Sequence, residues 1–188
     1  MLREIPVEVS ARHVHLSQED LEKLFGRGYE LTKIKQLTQP SDFAAKEVVQ
    51  IYTKEGIINL RIVGPIRKET QVELSLTDAI KLGIKPVLRI SGDIQRTPGA
   101  VLVGPRGRAK IKRGVIIALR HIHCTPKEAE KIGVRNGQIV SVKIPGKREI
   151  IFKNIIVRVK DDYKLCLHID TDEGNAAGIN HKTIGFLI

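Results

Sequence analysis

Six histidines are spread unevenly along a chain of 188 residues. Two pairs share one pattern, His13-Val14-His15 and His121-Ile122-His123, each preceded by an arginine, Arg12 and Arg120. Alternate side chains of a strand point to one face, so His-x-His presents two imidazoles side by side. Two residues after each pair stands a helix N-cap, Ser17 or Thr125, the latter followed by Pro126 at a favoured first helical position. Three residues further on an acid, Asp20 or Glu128, can close a capping box. The frame recurs twice with a single leading residue: Glu73 ahead of Ser75 and Asp78, and His168 ahead of Asp170 and Glu173. His15, Glu73, His123 and His168 therefore each end a strand just before a capped helix. Neutral imidazole and carboxylate are zinc ligands, and a strand i, i+2 pair can chelate one ion. His13, His15, Glu73, His121, His123 and His168 suffice for two catalytic ions, each with three protein ligands and an open position. One such pair alone reads more simply as hydrogen-bonded imidazoles at a capped turn. Its repetition in matching frames favours metal.

These frames need a scaffold of short strands and tight turns. The chain is rich in Ile and Val, which suit pleated surfaces. Apolar stretches at 47–52, 56–63, 86–90, 100–103, 114–119, 138–144, 149–159 and 164–169 read as strands. Turn signals such as Gly64-Pro65, Gly104-Pro105 and Asn136-Gly137 separate them. Helical patterns are few and short, those after Ser17 and Thr125 ending near Gly26 and Gly133. The expected fold is mainly β, a barrel or sandwich with internally repeated strand–N-cap–helix units. No apolar run is long enough to cross a membrane and the first ten residues hold no signal-peptide core, so a cytoplasmic protein is expected. Two cysteines, Cys124 and Cys166, are too few for a disulfide framework. The net charge of +11 calls for an anionic partner, either nucleic acid or a phosphorylated cofactor. With no Trp, three Tyr and four Phe, stacking platforms for single-stranded nucleic acid are scarce, which makes that partner unlikely.

The chain resembles the phosphate propanoyltransferase family, phosphotransacylases of the propanediol-utilisation type. The matching segments are Ser10-Ala-Arg-His-Val-His-Leu-Ser17, Gln39-Pro-x-x-Phe-Ala-Ala45, Gly64-Pro-x-Arg67, Thr70-Gln-Val-Glu-Leu-Ser75, Arg120-His-Ile-His123 and His168-Ile-Asp-Thr-Asp-Glu-x-Asn-Ala-Ala177. They run in order over nearly the whole chain. The resemblance implies two small β-barrels with short capping helices, one from residues 1–18 plus 114–188 and the other from 19–113. It implies exchange of coenzyme A and phosphate on a short acyl group, typically propanoyl and often acetyl. It implies two zinc ions per chain, one on His13, His15 and Glu73, the other on His121, His123 and His168. Arg67 would bind phosphate, while Ser10, Lys35, Arg61 and Asn175 would contact coenzyme A, the substrate or product. A homodimer, small-molecule substrates (acyl-CoA and phosphate) and no membrane partner are also implied. Some members carry an N-terminal extension that targets them to a bacterial microcompartment. Here the strand leading to His13 starts within a few residues of Met1, so a free cytoplasmic enzyme is expected.

From these groups we expect phosphate to attack the thioester carbonyl directly, assisted by the two ions. Arg67 would grip phosphate oxygens with a planar, two-pronged donor. Thiolate would leave, and no acyl-enzyme is needed. Two other functions remain open: a zinc-dependent thioester or phosphoester hydrolase using water, and a basic nucleic-acid-binding barrel. Elsewhere the sequence invites plainer readings. Arg12 and Arg120 face away from the histidines and suit salt bridges. Cys124 suits a small apolar site. Cys166 stands two residues before His168 and could bind zinc, although the family carries an apolar residue such as Met there. Residues 104–107 read as a hairpin turn, the basic run 106–113 as a solvated stretch and His181 as a surface residue.

Overall fold

The computed structural model describes residues 3–179 and 182–188; His181 lies outside them. In chain order the elements are β1 (Arg3–Ser10), β2 (His13–His15), α1 (Gln18–Phe25), β3 (Lys33–Gln36), β4 (Phe43–Tyr52), β5 (Ile57–Gly64), β6 (Gln71–Glu73), α2 (Leu76–Lys81), β7 (Leu88–Arg89), β8 (Ala100–Val103), β9 (Arg108–Ile111), β10 (Val115–Ala118), β11 (His121–Cys124), α3 (Pro126–Ile132), β12 (Ile139–Ile144), β13 (Ile150–Val159), β14 (Cys166–Asp170), α4 (Thr171–Ala177) and β15 (Thr183–Leu187). No helix among the described residues is long and apolar enough to cross a membrane.

The chain divides into two units, one of Met1–Ala11, Thr38–Ser41 and Leu119–Ile188, the other of Arg12–Leu37 and Asp42–Ala118. In this division His13 and His15 fall with the middle of the chain. The first unit is a closed barrel in the order β1-β14-β11-β13-β12-β15, with β15 pairing back to β1. Alternation along each strand sends one residue set inward. Ile5 and Val7 of β1, Ile122 of β11, Val157 of β13 and Leu167 and Ile169 of β14 join one core, which also takes Ala129 and Ile132 from α3. Cys124 ends β11 in this core with no exposed surface, as its apolar reading requires.

The second unit is an open, curled sheet in the order β7-β10-β6-β2-β5-β4-β8-β9, with β3 added beside β4. Its core takes Val14 of β2, Leu60 and Ile62 of β5, Val72 of β6 and the apolar face of α1, Leu21, Leu24 and Phe25. Of the two barrels that the resemblance implies, one is closed and the other is this curled sheet. The basic run at 106–113 is not merely solvated. Arg108 and Lys110 face solvent, but Ala109 and Ile111 alternate with them into the core, and the hairpin turn at 104–107 closes on a Gly104 N–H donating to Gly107 O at 2.9 Å.

The four helices among the described residues have six to eight residues each, too short to persist alone in water, so their caps and buried faces matter. Ser17, Ser75, Thr125 and Asp170 are their N-caps, each accepting from the backbone N–H three residues on. A reciprocal capping box forms at Thr125 with Glu128 and at Asp170 with Glu173. At Ser17 the expected box is replaced. Asp20 is one methylene shorter than Glu, and Thr70 bridges the gap: Ser17 N donates to Thr70 Oγ1 at 3.0 Å, and Thr70 Oγ1 donates to Asp20 at 2.6 Å.

Candidate metal centres

In the curled sheet, β2 runs antiparallel to β6 with His13 opposite Glu73 and His15 opposite Gln71. Val14 and Val72 point into the core, so these four polar residues share the other face. One ligand atom each from His13, His15 and Glu73 lie within 4.8 Å of one another. His13 Nε2 is 3.6 Å from Glu73 Oε2, and each side chain is only 12% exposed. His15 Nδ1 faces Val63 O at 3.0 Å. Donating there puts its proton on Nδ1 and leaves the Nε2 lone pair for an ion, the usual second-layer support of a metal-bound imidazole. Burial, reinforced by His13 and Arg67, holds His15 well below the ordinary imidazole range, hence neutral. Burial opposes the charge on Glu73, yet His13, His15, a Ser91 hydrogen bond and Arg67 together hold it at about 2, hence ionised. Ser91 Oγ donates to Glu73 Oε1 at 2.7 Å, and Gln71 Nε2 donates to the same oxygen at 2.6 Å. Arg67 also reaches Ser91 Oγ, at 3.5 Å. Two imidazoles, one of them held neutral by burial, and a fixed carboxylate, with a guanidinium in electrostatic reach, form a donor set that fits zinc.

In the barrel, β11 runs antiparallel to β14, placing His121 opposite His168 and His123 opposite Cys166. With Ile122 and Leu167 in the core, these four share the face that turns away from it. The ring centroids of His121, His123 and His168 are 4.5, 5.2 and 5.0 Å apart pairwise. His121 Nδ1 faces Leu119 O at 2.7 Å, which again directs Nε2 outward for an ion. His123 is 9% exposed, and among the described residues neither of its ring nitrogens has a hydrogen-bond partner. Burial first, then His121, His168, Arg158 and Lys160, drive its pKa down to about 2. Its ring stacks on Tyr163 at 3.9 Å. A buried imidazole with two orphaned nitrogens is costly in a merely structural role. It fits a metal ligand, but the ligand atoms that lie within 4.8 Å of one another in this unit are those of Glu8, Cys166 and His168, not those of His121, His123 and His168 together.

The two faces follow one plan. In each, the His-x-His strand lies parallel to one neighbour, β5 or β13, and antiparallel to another, β6 or β14. In each, the preceding arginine pairs with the acid of the capped helix after that antiparallel strand: Arg12 with Asp78 at 2.8 Å, Arg120 with Glu173 at 2.7 Å. The repeat legible in the sequence is thus a repeat of sheet topology. In this topology Cys166 stands in the position of Gln71, each opposite the second histidine of its pair.

The remaining sequence-derived candidates scatter more. Arg61 sits on β5 in register with His13 and donates to Ala45 O and Lys46 O at 3.2 and 2.7 Å. Lys35 is exposed on β3. Ser10 ends β1 in register with Asp170, the N-cap of α4, and Asn175 is exposed on that helix. Sequence reasoning gave no role to Ser91, Gln71, Gln39 or Glu8. Gln39 Nε2 donates to Lys164 O at 3.0 Å while its Oε1 accepts from Lys164 N at 3.2 Å, which fixes the amide. Its Nε2 then faces His168 Nε2 at 3.1 Å. Glu8 lies in register with His168, Oε2 to Nδ1 at 3.6 Å. Alternation on β1 could have flagged Glu8, two residues before Ser10. Ser91 and Gln39 lie outside the strands and helices, where no spacing rule applies.

Comparison with known proteins gives one consistent answer. The family model for phosphate propanoyltransferase matches residues 6–180. A phosphate propanoyltransferase of Thermotoga maritima is 52% identical over 193 residues, covering 100% of this chain and 92% of the relative. Those of Alkaliphilus metalliredigens and Sebaldella termitidis are 50% and 48% identical, covering 98% and 97% of the chain and 88% and 87% of the relatives. With its two duplicated histidine faces and a match over nearly its full length, the chain belongs to the phosphate propanoyltransferase family.

Proposed function

We propose that the protein exchanges coenzyme A and phosphate on a short acyl group, propanoyl-CoA plus phosphate giving propanoyl phosphate plus CoA, with acetyl as a second acyl group. The observation that carries the reading is the convergence of His13, His15 and Glu73, with ligand atoms within 4.8 Å, beside Arg67 in a chain of this family. His13, His15 and Glu73 would hold one zinc ion, and His121, His123 and His168 a second. Bound zinc supplies a Lewis acid that polarises a carbonyl oxygen and offsets anionic charge. Arg67 offers two parallel N–H donors to phosphate oxygens and orients the attacking one. A phosphate oxygen then bonds to the acyl carbon, the carbon–sulfur bond breaks and CoA leaves as thiolate. Ser91 and Gln71 keep Glu73 ionised and aimed through the transfer. Ser10, Lys35, Arg61 and Asn175 would contact coenzyme A, whose phosphates suit the +11 chain.

The test is thiol release from propanoyl-CoA by zinc-loaded protein, with and without phosphate, with the acyl product identified. Phosphate-dependent CoA release matched by propanoyl phosphate supports the reading. Equal release without phosphate, giving free propanoate, makes the protein a hydrolase. No release in either case, with salt-sensitive nucleic-acid binding, removes the enzyme reading altogether.

A further inference from the structure

We propose that Glu8 is a positioning residue: its carboxylate accepts the Nδ1 proton of His168 and leaves Nε2 as the ligand atom of that ring. The inference rests on the reading that the barrel unit binds a divalent cation through His168, and it names what sets that ring. Glu8 on β1 and His168 on β14 are register partners in a parallel pair. Val7 and Leu167, one step back on each strand, point into the barrel core, so Glu8 and His168 share the face that turns away from it. Glu8 Oε2 lies 3.6 Å from His168 Nδ1, with the two side chains 36% and 13% exposed. That gap is wider than a hydrogen bond, and a glutamate this exposed closes it by a change of rotamer.

Gln39 fixes where the proton of His168 sits. Its amide is 5% exposed and held by Lys164: Oε1 accepts from Lys164 N at 3.2 Å, and Nε2 donates to Lys164 O at 3.0 Å. The second proton of Nε2 then meets His168 Nε2 at 3.1 Å, so that ring nitrogen is the acceptor. A neutral imidazole with its lone pair on Nε2 carries its proton on Nδ1, the side that faces Glu8. The lone pair that accepts from Gln39 is the one a metal would take. The two units also differ in a telling way. In the curled sheet Glu73 stands where His168 stands in the barrel, opposite the first histidine of its pair. Its parallel neighbour, in the place of Glu8, is Ile116. A carboxylate ligand has no second ring N–H to satisfy, and its neighbour is apolar. An imidazole ligand has one, and its neighbour is an acid. His15 and His121 meet the same need with the backbone, facing Val63 O and Leu119 O through Nδ1.

Nitrogen-15 NMR of the histidine-labelled, metal-free full chain at about pH 8, where imidazole is neutral, reads the tautomer directly. The expected result is a His168 ring, assigned by its loss in His168→Gln, that is protonated on Nδ1. Zinc competition with a chromophoric chelator gives the second readout, in a His13→Ala background that disables the set in the other unit. There Glu8→Gln should weaken zinc binding by about 10–100-fold. A His168 ring protonated on Nε2, or unchanged zinc affinity in Glu8→Gln, overturns the proposal and leaves the cation reading standing. So does X-ray absorption of the same background showing sulfur at about 2.3 Å from the zinc, because the ion then sits on Cys166 beside Glu8 and the carboxylate is no second-layer partner. A barrel that takes up no zinc overturns both the proposal and the reading beneath it. Should Glu8→Gln fail to fold, the tautomer in the unmodified protein still decides.

Discussion

Glu73 illustrates how much of the proposed chemistry is set by neighbours. A carboxyl this buried would resist ionisation, yet two imidazoles, Arg67 and Ser91 hold it at about 2. Removing the Ser91 hydroxyl takes one of those supports and the contact that aims Oε1. Partners of metal ligands typically matter 10–100-fold in affinity, so Ser91→Ala should weaken zinc binding in this unit by about that factor. Competition with a chromophoric chelator measures it, and unchanged affinity would deny Ser91 the role. Arg67→Lys keeps the charge but replaces the two-pronged donor with a point donor. Loss of a charged hydrogen bond costs on the order of 1.5–3 kcal/mol, a tenfold or greater rise in the KM for phosphate. Wild-type rates and phosphate affinity in that variant would remove Arg67 from the phosphate site.

At the scale of elements, caps do as much as strands. Thr125 ends the approach from His121–Cys124 and starts α3, with Glu128 closing the box. Thr125→Ala should cost about 1 kcal/mol, read as a lower denaturant midpoint with unchanged slope. The same caps made the fold legible. Ser17, Ser75, Thr125 and Asp170 stand at fixed offsets from His15, Glu73, His123 and His168, so the frame could be recognised before any strand was paired. What stayed hidden depends on pairing across distance. The strand at Arg108–Ile111 looks like a charge run because its two inward residues are only Ala109 and Ile111. Strands Lys33–Gln36 and Thr183–Leu187 carry no strong alternation, and their neighbours Phe43–Tyr52 and Arg3–Ser10 recruit them. The correspondence of Cys166 with Gln71 follows from the register of β14 against β11, which no spacing within one strand encodes.

Over the whole molecule, each unit buries its polar ligand set against its own hydrophobic sheet, and the metal-free protein should show the cost in acid. His123 is held at about 2 in the folded state, whereas an unfolded imidazole titrates near 6.5. Below pH 6.5 the unfolded chain takes up a proton that the folded chain refuses. The stability is therefore full above pH 6.5 and is lost as pH falls towards 2. Between pH 6.5 and 5 this ring alone should cost about 2 kcal/mol, visible as a falling denaturant midpoint for chelator-treated protein. His123→Gln should flatten that slope, and an unchanged slope would contradict the buried, neutral state. The account as a whole depends on ions bound at two sets of side chains drawn from distant parts of the chain. The most direct measurement is an anomalous-difference map at the zinc absorption edge from crystals of the zinc-loaded protein. The account predicts two peaks per chain, one among His13, His15 and Glu73 and one among His121, His123 and His168. Peaks elsewhere, or none at either set in protein that still transfers propanoyl to phosphate, would contradict it.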